Sequence, residues 1–151
     1  MKNILMAKGA KILVDICTKV KPGEKVLIVS DMFKTNIAEV LALVAKERGA
    51  EVMIFVMEPR ERASQEPPSP VAAAMKEADV VFSPVSYSIT HTYAVKEAAA
   101  AGSRIIVMTD FNEELMMGGG IEANFDELKS ICKGVAQKLA EGKKLKLSTP
   151  G

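Results

Sequence analysis

Apolar residues along this chain fall into short, nearly unbroken runs, separated by stretches in which they recur at helical spacing. The runs cover residues 25–30, 51–57, 79–83 and 104–109. Each run is only a few residues long and too apolar to leave one face in water. Such runs are typical of strands in a parallel sheet that is covered on both faces. The pattern therefore predicts four buried parallel strands.

The stretches around these runs predict helices, because their apolar residues lie three and four positions apart or because they begin with capping residues. Three helices are predicted over residues 4–20, 36–48 and 69–78. A fourth is capped by Ser88 or Thr90 and runs to Ala101, a short helical piece covers residues 112–117, and a long helix covers residues 124–140. A fifth strand is expected to start within residues 143–148.

The alternation of strands and helices predicts the fold class. It indicates an α/β domain with a doubly wound, mostly parallel sheet of four to five strands and helices on both faces, of the Rossmann or flavodoxin-like kind. Right-handed crossovers favour a strand order such as 2-1-3-4. The domain is expected to span residues 1–142.

Composition narrows the class of protein and its partners. The 151 residues, 48% of them hydrophobic, suit one domain with a real core. Twenty Lys and Arg against nineteen Asp and Glu give a net charge of +1, which argues against nucleic acid as a partner. No apolar stretch approaches about 18 residues, so a cytoplasmic protein without a membrane partner is expected. Cys17 and Cys132 occupy apolar helical positions and are expected to be buried free thiols.

Four residues are predicted to bind substrate, because they follow strands at the carboxyl edge, where ligands of open α/β sheets bind. They are Asp31 after the first strand, Ser86 and His91 after the third, and Asp110 after the fourth. His91, the single histidine, is placed in the first turn of a helix, whose dipole disfavours the charged imidazole. A neutral imidazole there would donate or accept a hydrogen bond. Each of these residues alternatively serves a turn or a helix cap.

Several common catalytic and cofactor motifs are absent from the sequence. The turn after the first strand, residues 30–34, holds no glycine, and no dinucleotide fingerprint, P-loop or nucleophile elbow occurs elsewhere. One histidine, two distant cysteines and scattered carboxylates give no recognisable metal spacing. Residues 118–120 are all glycine, but Asp126 and Glu127 follow and would oppose an anion, so a hinge or close turn is predicted there. No catalytic residue, metal ligand or cofactor site is therefore assigned to this chain.

Five stretches, taken in order, resemble a known family. They are Lys21-Pro22-Gly23 with residues 24–29, residues 86–92 with 97–104, residues 113–116, residues 124–128 and residues 147–151. Together they are similar to the N-terminal domain of the M29 leucyl aminopeptidase (aminopeptidase T) family, which includes 2,5-dihydroxypyridine 5,6-dioxygenase-like relatives. The family reads Asp-Tyr where this chain has Asn124-Phe125, and Asn also caps a helix well.

The resemblance implies a two-domain metalloenzyme whose divalent metal is held by a C-terminal domain. Residues 143–151 would then begin the connection to that domain. This chain would form one wall of an interdomain active-site cleft in an aminopeptidase-like hydrolase, and it would be inactive alone. Two alternatives stay open: the same domain of a ring-cleaving dioxygenase, or a stand-alone small-molecule-binding or regulatory module. The expected partner is the chain's own C-terminal domain, and a homodimer is left open.

Overall fold

The computed structural model describes residues 1–149. Its helices are α1 (Lys2–Lys11), α2 (Thr35–Glu47), α3 (Ser69–Glu77), α4 (Tyr93–Ala100), α5 (Glu113–Met117) and α6 (Phe125–Glu141). Its strands are β1 (Lys25–Asp31), β2 (Glu51–Met57), β3 (Val80–Ser83) and β4 (Arg104–Val107). A π-helical turn, Ile12–Cys17, continues α1, and a 3-10 turn, Gly119–Glu122, follows α5.

The four strands form one parallel sheet in the order β2-β1-β3-β4. Val26 of β1 lies between Val52 of β2 and Val80 of β3, and Val80 in turn lies beside Arg104 of β4. The two central strands are buried along almost their whole length. The predicted strands, their parallel pairing and their order are confirmed.

Helices cover both faces of the sheet, and successive residues of β1 supply the two cores. Val26 and Ile28 pack on one face with residues of α1, α2 and α5. Leu27 and Val29 pack on the opposite face with residues of α3 and α4. This alternation is the expected result of a strand whose neighbouring side chains point to opposite faces. The doubly wound α/β class is therefore confirmed.

The predicted helix over residues 4–20 is interrupted by the π-helical turn. The amide of Thr18 donates to the carbonyl of Leu13, five residues earlier, at 3.0 Å. This wider turn rotates the following side chains away from the positions that a 3.6-residue period assigns to them. Ile16 and Cys17 are consequently exposed. The prediction of a buried Cys17 is wrong for this reason.

Helix α6 carries an apolar stripe that nothing in the described chain covers. None of its residues is buried, and Leu128, Ile131, Val135 and Leu139 are 40–55% exposed. Cys132 lies on the same helix and is exposed as well. The prediction of a buried Cys132 is therefore wrong, because its amphipathic helix does not pack on the sheet.

The fifth strand predicted within residues 143–148 is not formed in the described part of the chain. Lys144, Leu145, Lys146 and Leu147 alternate as a half-buried strand would, but both leucines are exposed. This segment has no neighbouring strand to pair with, because α6 does not bring it to the edge of the sheet at β4. The predicted connection ends at Pro150 and Gly151, which lie outside the described residues.

No helix among residues 1–149 combines the length and apolar character that crossing a membrane requires.

Candidate functional site

The sheet has its topological switch point between β1 and β3. From β1 the chain continues through α2 to β2, and from β3 it continues through α4 to β4. These connections lie on opposite faces, because α2 belongs to one core and α4 to the other. The loops after β1 and β3 therefore part at the carboxyl ends of two neighbouring strands, which is where ligands of open α/β sheets bind. We call residues 31–34, 83–92 and 108–112 the carboxyl-edge surface.

Asp31 joins the two loops at the switch point. Its side chain is almost fully buried, with 1% exposure. Oδ1 accepts a hydrogen bond from the amide of Phe33 at 3.0 Å, and Oδ2 accepts one from the amide of Ser86 at 2.6 Å. Two of the predicted site residues, Asp31 and Ser86, are thus brought together. Because both carboxylate oxygens serve backbone amides, Asp31 holds the loops in place.

Two buried hydroxyls at the same edge have no hydrogen-bond partner among the described residues. They are Oγ of Ser83, at the end of β3, and Oγ1 of Thr109, just after β4. A third hydroxyl, that of Ser30, donates to the carbonyl of Asp31 at 3.0 Å. A buried polar atom without a partner costs about 1–3 kcal/mol. Ser83 and Thr109 therefore each lack a hydrogen bond beneath the carboxyl-edge surface, within the described residues.

Exposed apolar side chains lie on the same loops as these polar groups. Phe33 and Met32 follow β1, and Tyr87 follows β3; their exposed fractions are 71%, 54% and 45%. Sites for small molecules combine an apolar lining with a few polar groups that fix orientation. The carboxyl-edge surface has this composition. The sequence predicted its polar residues but not its apolar ones, because residues 32–33 were interpreted only as part of a turn without glycine.

His91 is exposed and lies outside the helix in which it was predicted. The cap of α4 is Thr92, whose Oγ1 accepts from the amide of Val95 at 3.3 Å. Ser88 and Thr90 bond to each other at 2.8 Å instead, so their prediction as caps is wrong. His91 directly precedes this cap and is therefore not part of the first helical turn. Its contact with substrate stays a prediction.

The N-terminus of α4 is closed by a residue that sequence reasoning missed. The carboxylate of Glu66 accepts from the amides of Tyr93 at 2.6 Å and Ala94 at 3.2 Å. A carboxylate is favourable there because the helix dipole and the free amides both attract negative charge. The amide of Ser64 in the same loop donates to the carbonyl of Ser88 at 2.7 Å. No local signal predicts a cap that lies 27 residues away.

Asp110, the fourth predicted residue, is exposed in the turn after β4, with φ at +63°. No hydrogen bond joins it to Asp31 or Ser86, and β3 lies between β4 and the strand that carries Asp31. The loops after β1 and β4 are nevertheless connected, because Nζ of Lys34 donates to the carbonyl of Phe111 at 2.7 Å. The structure thus links all three loops of the carboxyl-edge surface through Asp31 and Lys34.

Two features of the described chain concern metal ligands and nucleophiles. Within residues 1–149, no group of three or more His, Cys, Asp or Glu side chains is placed to hold a metal ion. An apolar groove of about 440 Å³ lies beside β4 and the π-helical turn, and Cys17 is its one ionisable lining residue. Although the residue is exposed overall, partial burial of the thiol raises the pKa of Cys17, which keeps it protonated and weakly nucleophilic at neutral pH.

Comparison of the whole fold finds related solved structures, whereas no protein-family model and no curated protein matches the sequence. The chain is similar to 2,5-dihydroxypyridine dioxygenase from Pseudomonas putida KT2440, with a TM-score of 0.60 and 12% identity over 76% of this chain. Weaker matches are wild-type AmpT from Thermus thermophilus, with a TM-score of 0.48, 14% identity and 76% coverage, and the CurK enoyl reductase, with 0.46, 13% and 95%.

These matches concern only part of each solved chain. The present chain spans 36% of the Pseudomonas structure, 41% of the Thermus structure and 51% of the CurK structure. At such low identity the likeness shows the fold alone. The resemblance stated from sequence is thereby confirmed as a related fold, without assigning the chain to a family.

Proposed function

We propose that this chain forms one wall of an active-site cleft in a metal-dependent aminopeptidase-like hydrolase and is inactive alone. The observation that carries the proposal is the carboxyl-edge surface, where exposed apolar side chains and polar groups share the loops at the topological switch point. Support also comes from the ordered sequence motifs that resemble the M29 family.

The side chains of this surface divide into two roles in the proposal. Asp31 and Ser86 position the loops, because their hydrogen bond fixes the two segments that part at the switch point. His91 and Asp110 are exposed and would meet the substrate. The described residues do not fit a metal site. In this proposal the metal is therefore held by another domain, and no residue of this chain binds it.

A second candidate is the same wall in a ring-cleaving dioxygenase. The observation that favours it is the pair of exposed aromatic side chains, Phe33 and Tyr87, on the two loops of the switch point. Planar rings stack on such side chains, and an aromatic pair contributes about 0.5–1.5 kcal/mol beyond the area that it buries.

The two candidates are separated by ligand titration of the purified chain, followed by NMR chemical shifts. Leucinamide serves as a probe for the hydrolase, and 2,5-dihydroxypyridine as a probe for the dioxygenase. For the hydrolase we expect leucinamide to shift the amides of Phe33, Ser86 and His91. Asp31→Asn should abolish those shifts, because the new amide group cannot accept from both backbone amides. Asp79→Asn is the matched control, since Asp79 accepts from the amide of Lys25 at the opposite edge of the sheet.

Three results would contradict the proposal. A shift caused only by dihydroxypyridine favours the dioxygenase. Shifts confined to the apolar groove favour a stand-alone binding module. Metal-dependent peptide hydrolysis by the purified chain, with added zinc or cobalt, would show that it is not merely an accessory wall.

A further inference from the structure

Strand β2 is an unprotected edge of the sheet. Within residues 1–149 it is hydrogen-bonded only to β1, and the amide of Glu51 donates to the carbonyl of Glu24 on that side. Because backbone groups alternate sides along a strand, the N–H and C=O groups of Val52, Ile54 and Val56 point outward. Natural edge strands usually carry Lys, Pro or a bulge that blocks further pairing. Residues 52–57 contain neither residue type, and their register with β1 is unbroken.

We propose that a second copy of this chain pairs with β2, antiparallel, around a two-fold axis through Ile54. In this register Ile54 opposes its own equivalent, and Val52 opposes Val56 of the other copy. Val52, Ile54 and Val56 of one copy then lie opposite the same three residues of the other copy. Each opposed pair exchanges two backbone hydrogen bonds. The result is one continuous eight-stranded sheet. A symmetric arrangement of this kind uses the same patch on both copies.

The side chains of β2 suit this interface between two copies, because residues 53–56 are 37–53% exposed although all four are apolar. On the face away from α2, Met53 would oppose Phe55 of the other copy. A thioether beside an aromatic ring is a favourable contact. Two such pairs form, one on each side of the axis.

Helix α2 suits the same interface on the opposite face of the sheet. It packs on both β1 and β2, so its axis lies over the space between them. Neighbouring strands are about 4.8 Å apart, which places the two copies of α2 about 10 Å apart across the axis. Packed helices lie 8–10 Å apart. Leu43, on the outer side of α2, is 68% exposed and would be covered by the other helix.

Charge on α2 is complementary under the same two-fold axis. A shallow groove beside β2 is lined by Glu39 and Lys46, with Ala42 and Leu43 between them. Helix α2 runs antiparallel to β2, so Glu39 lies toward Val56 and Lys46 toward Val52. The axis therefore brings Glu39 of each copy to Lys46 of the other. Neither residue has an ion pair among the described residues, which leaves both available for this contact.

Analytical ultracentrifugation of the chain tests the pairing. We expect a mass twice the 16.2 kDa of one chain at high micromolar concentration. Ile54→Lys should weaken association by about tenfold or more, because two like charges then meet at the axis. The matched control is Ile131→Lys on the exposed stripe of α6. Far-UV circular dichroism should show that both variants stay folded, since both positions are already half exposed.

Charge reversal tests the register itself. Glu39→Lys alone should weaken the dimer, and adding Lys46→Glu should restore it, because the pair is exchanged between copies. Hydrogen exchange should slow at the amides of Val52, Ile54 and Val56 as concentration rises. A monomer at high micromolar concentration overturns the proposal. It is also overturned if Ile131→Lys dissociates the dimer while Ile54→Lys does not, or if the double variant stays as weak as the single one.

Discussion

The ion pair between Asp15 and Arg48 fastens the π-helical turn to the end of α2. Nε of Arg48 donates to one carboxylate oxygen at 2.7 Å, and Nη2 donates to the other at 2.8 Å. The hydrogen bonds from Arg48 lower the pKa of the Asp15 carboxyl, although partial burial opposes this. The same contact raises the pKa of Arg48. Two parallel bonds give this pair a fixed geometry that a single contact lacks.

Loss of this pair should be visible in both a titration and a stability measurement. Arg48→Gln should return the pKa of Asp15 toward its ordinary value of about 3.9. It should lower the free energy of unfolding at neutral pH only slightly, because the pair is one-third exposed and solvent screens it. An NMR titration of the Asp15 carboxyl and denaturant unfolding measure the two effects.

The sign of the pH dependence follows from the lowered pKa of Asp15. The contribution is complete above the ordinary carboxyl pKa and is lost as the pH falls through the lower pKa of the folded state. The difference between Arg48→Gln and the parent chain should therefore shrink in acid. Arg62→Gln, in an exposed loop, is the control. Equal differences at neutral and acid pH would show that Arg48 acts through packing instead.

At the residue scale, the sequence predicts where the polar side chains lie but not what they contact. Asp31 was placed at the carboxyl edge by its position after an apolar run, and this is where it lies. Its bond to Ser86 spans 55 residues of sequence, and that of Glu66 to Tyr93 spans 27. Such contacts depend on how two loops meet in space, which a period of hydrophobic residues does not encode.

Among the elements, α1 and α5 approach one another closely at Gly9. A Cβ atom at this position would lie 2.3 Å from the carbonyl oxygen of Met116 and 3.1 Å from the side chain of Ile121. The first neighbour is backbone and cannot turn away. The absence of a side chain at Gly9 therefore sets the distance between these two helices.

Gly9→Ala should lower the free energy of unfolding by about 1–3 kcal/mol, the usual cost of overpacking. This loss would occur although alanine favours a helix over glycine by about 1 kcal/mol. Denaturant unfolding checks the prediction. Gly134→Ala in α6 is the matched control, because nothing lies within 4 Å of its Cβ atom. If Gly9→Ala is as well tolerated as Gly134→Ala, the close approach does not constrain α1.

The main helices and strands could be predicted because their apolar residues recur with a clear period. Irregular local geometry could not be predicted in this way. The apolar strands and α2 match their predicted ranges within a residue or two. After Val14 the π-helical turn departs from the 3.6-residue period of an α-helix, and Cys17 is exposed as a result. The predicted fifth strand failed for another reason: its alternation is present in residues 144–147, but a strand also needs a neighbour to pair with.

For the whole molecule, stability is distributed unevenly between the sheet and α6. Strands β1 and β3 and helices α1 to α4 contribute most of the buried residues, whereas α6 contributes none. A helix of 17 residues that buries nothing depends on its own marginal stability in water. Amide hydrogen exchange should therefore be governed in α6 by local opening, with a free energy near zero, and in β1 and β3 by global unfolding.

Exchange measured residue by residue in the purified chain checks this contrast. The amides of Leu128 and Val135 should exchange orders of magnitude faster than those of Leu27 and Val81. Their rates should not slow when the sheet is stabilised, for example by a mild osmolyte. Protection of α6 equal to that of β1 would mean that its stripe is covered in solution.

The uncovered stripe of α6 also bears on how the chain melts. If α6 and the sheet unfold separately, loss of helical signal will begin well below the temperature at which the buried core opens. A single melting temperature would then average two processes, and unfolding followed through Tyr87 and through helicity would not coincide. Calorimetry would return an enthalpy smaller than a chain of 151 residues normally releases, because α6 would already be frayed before the main transition.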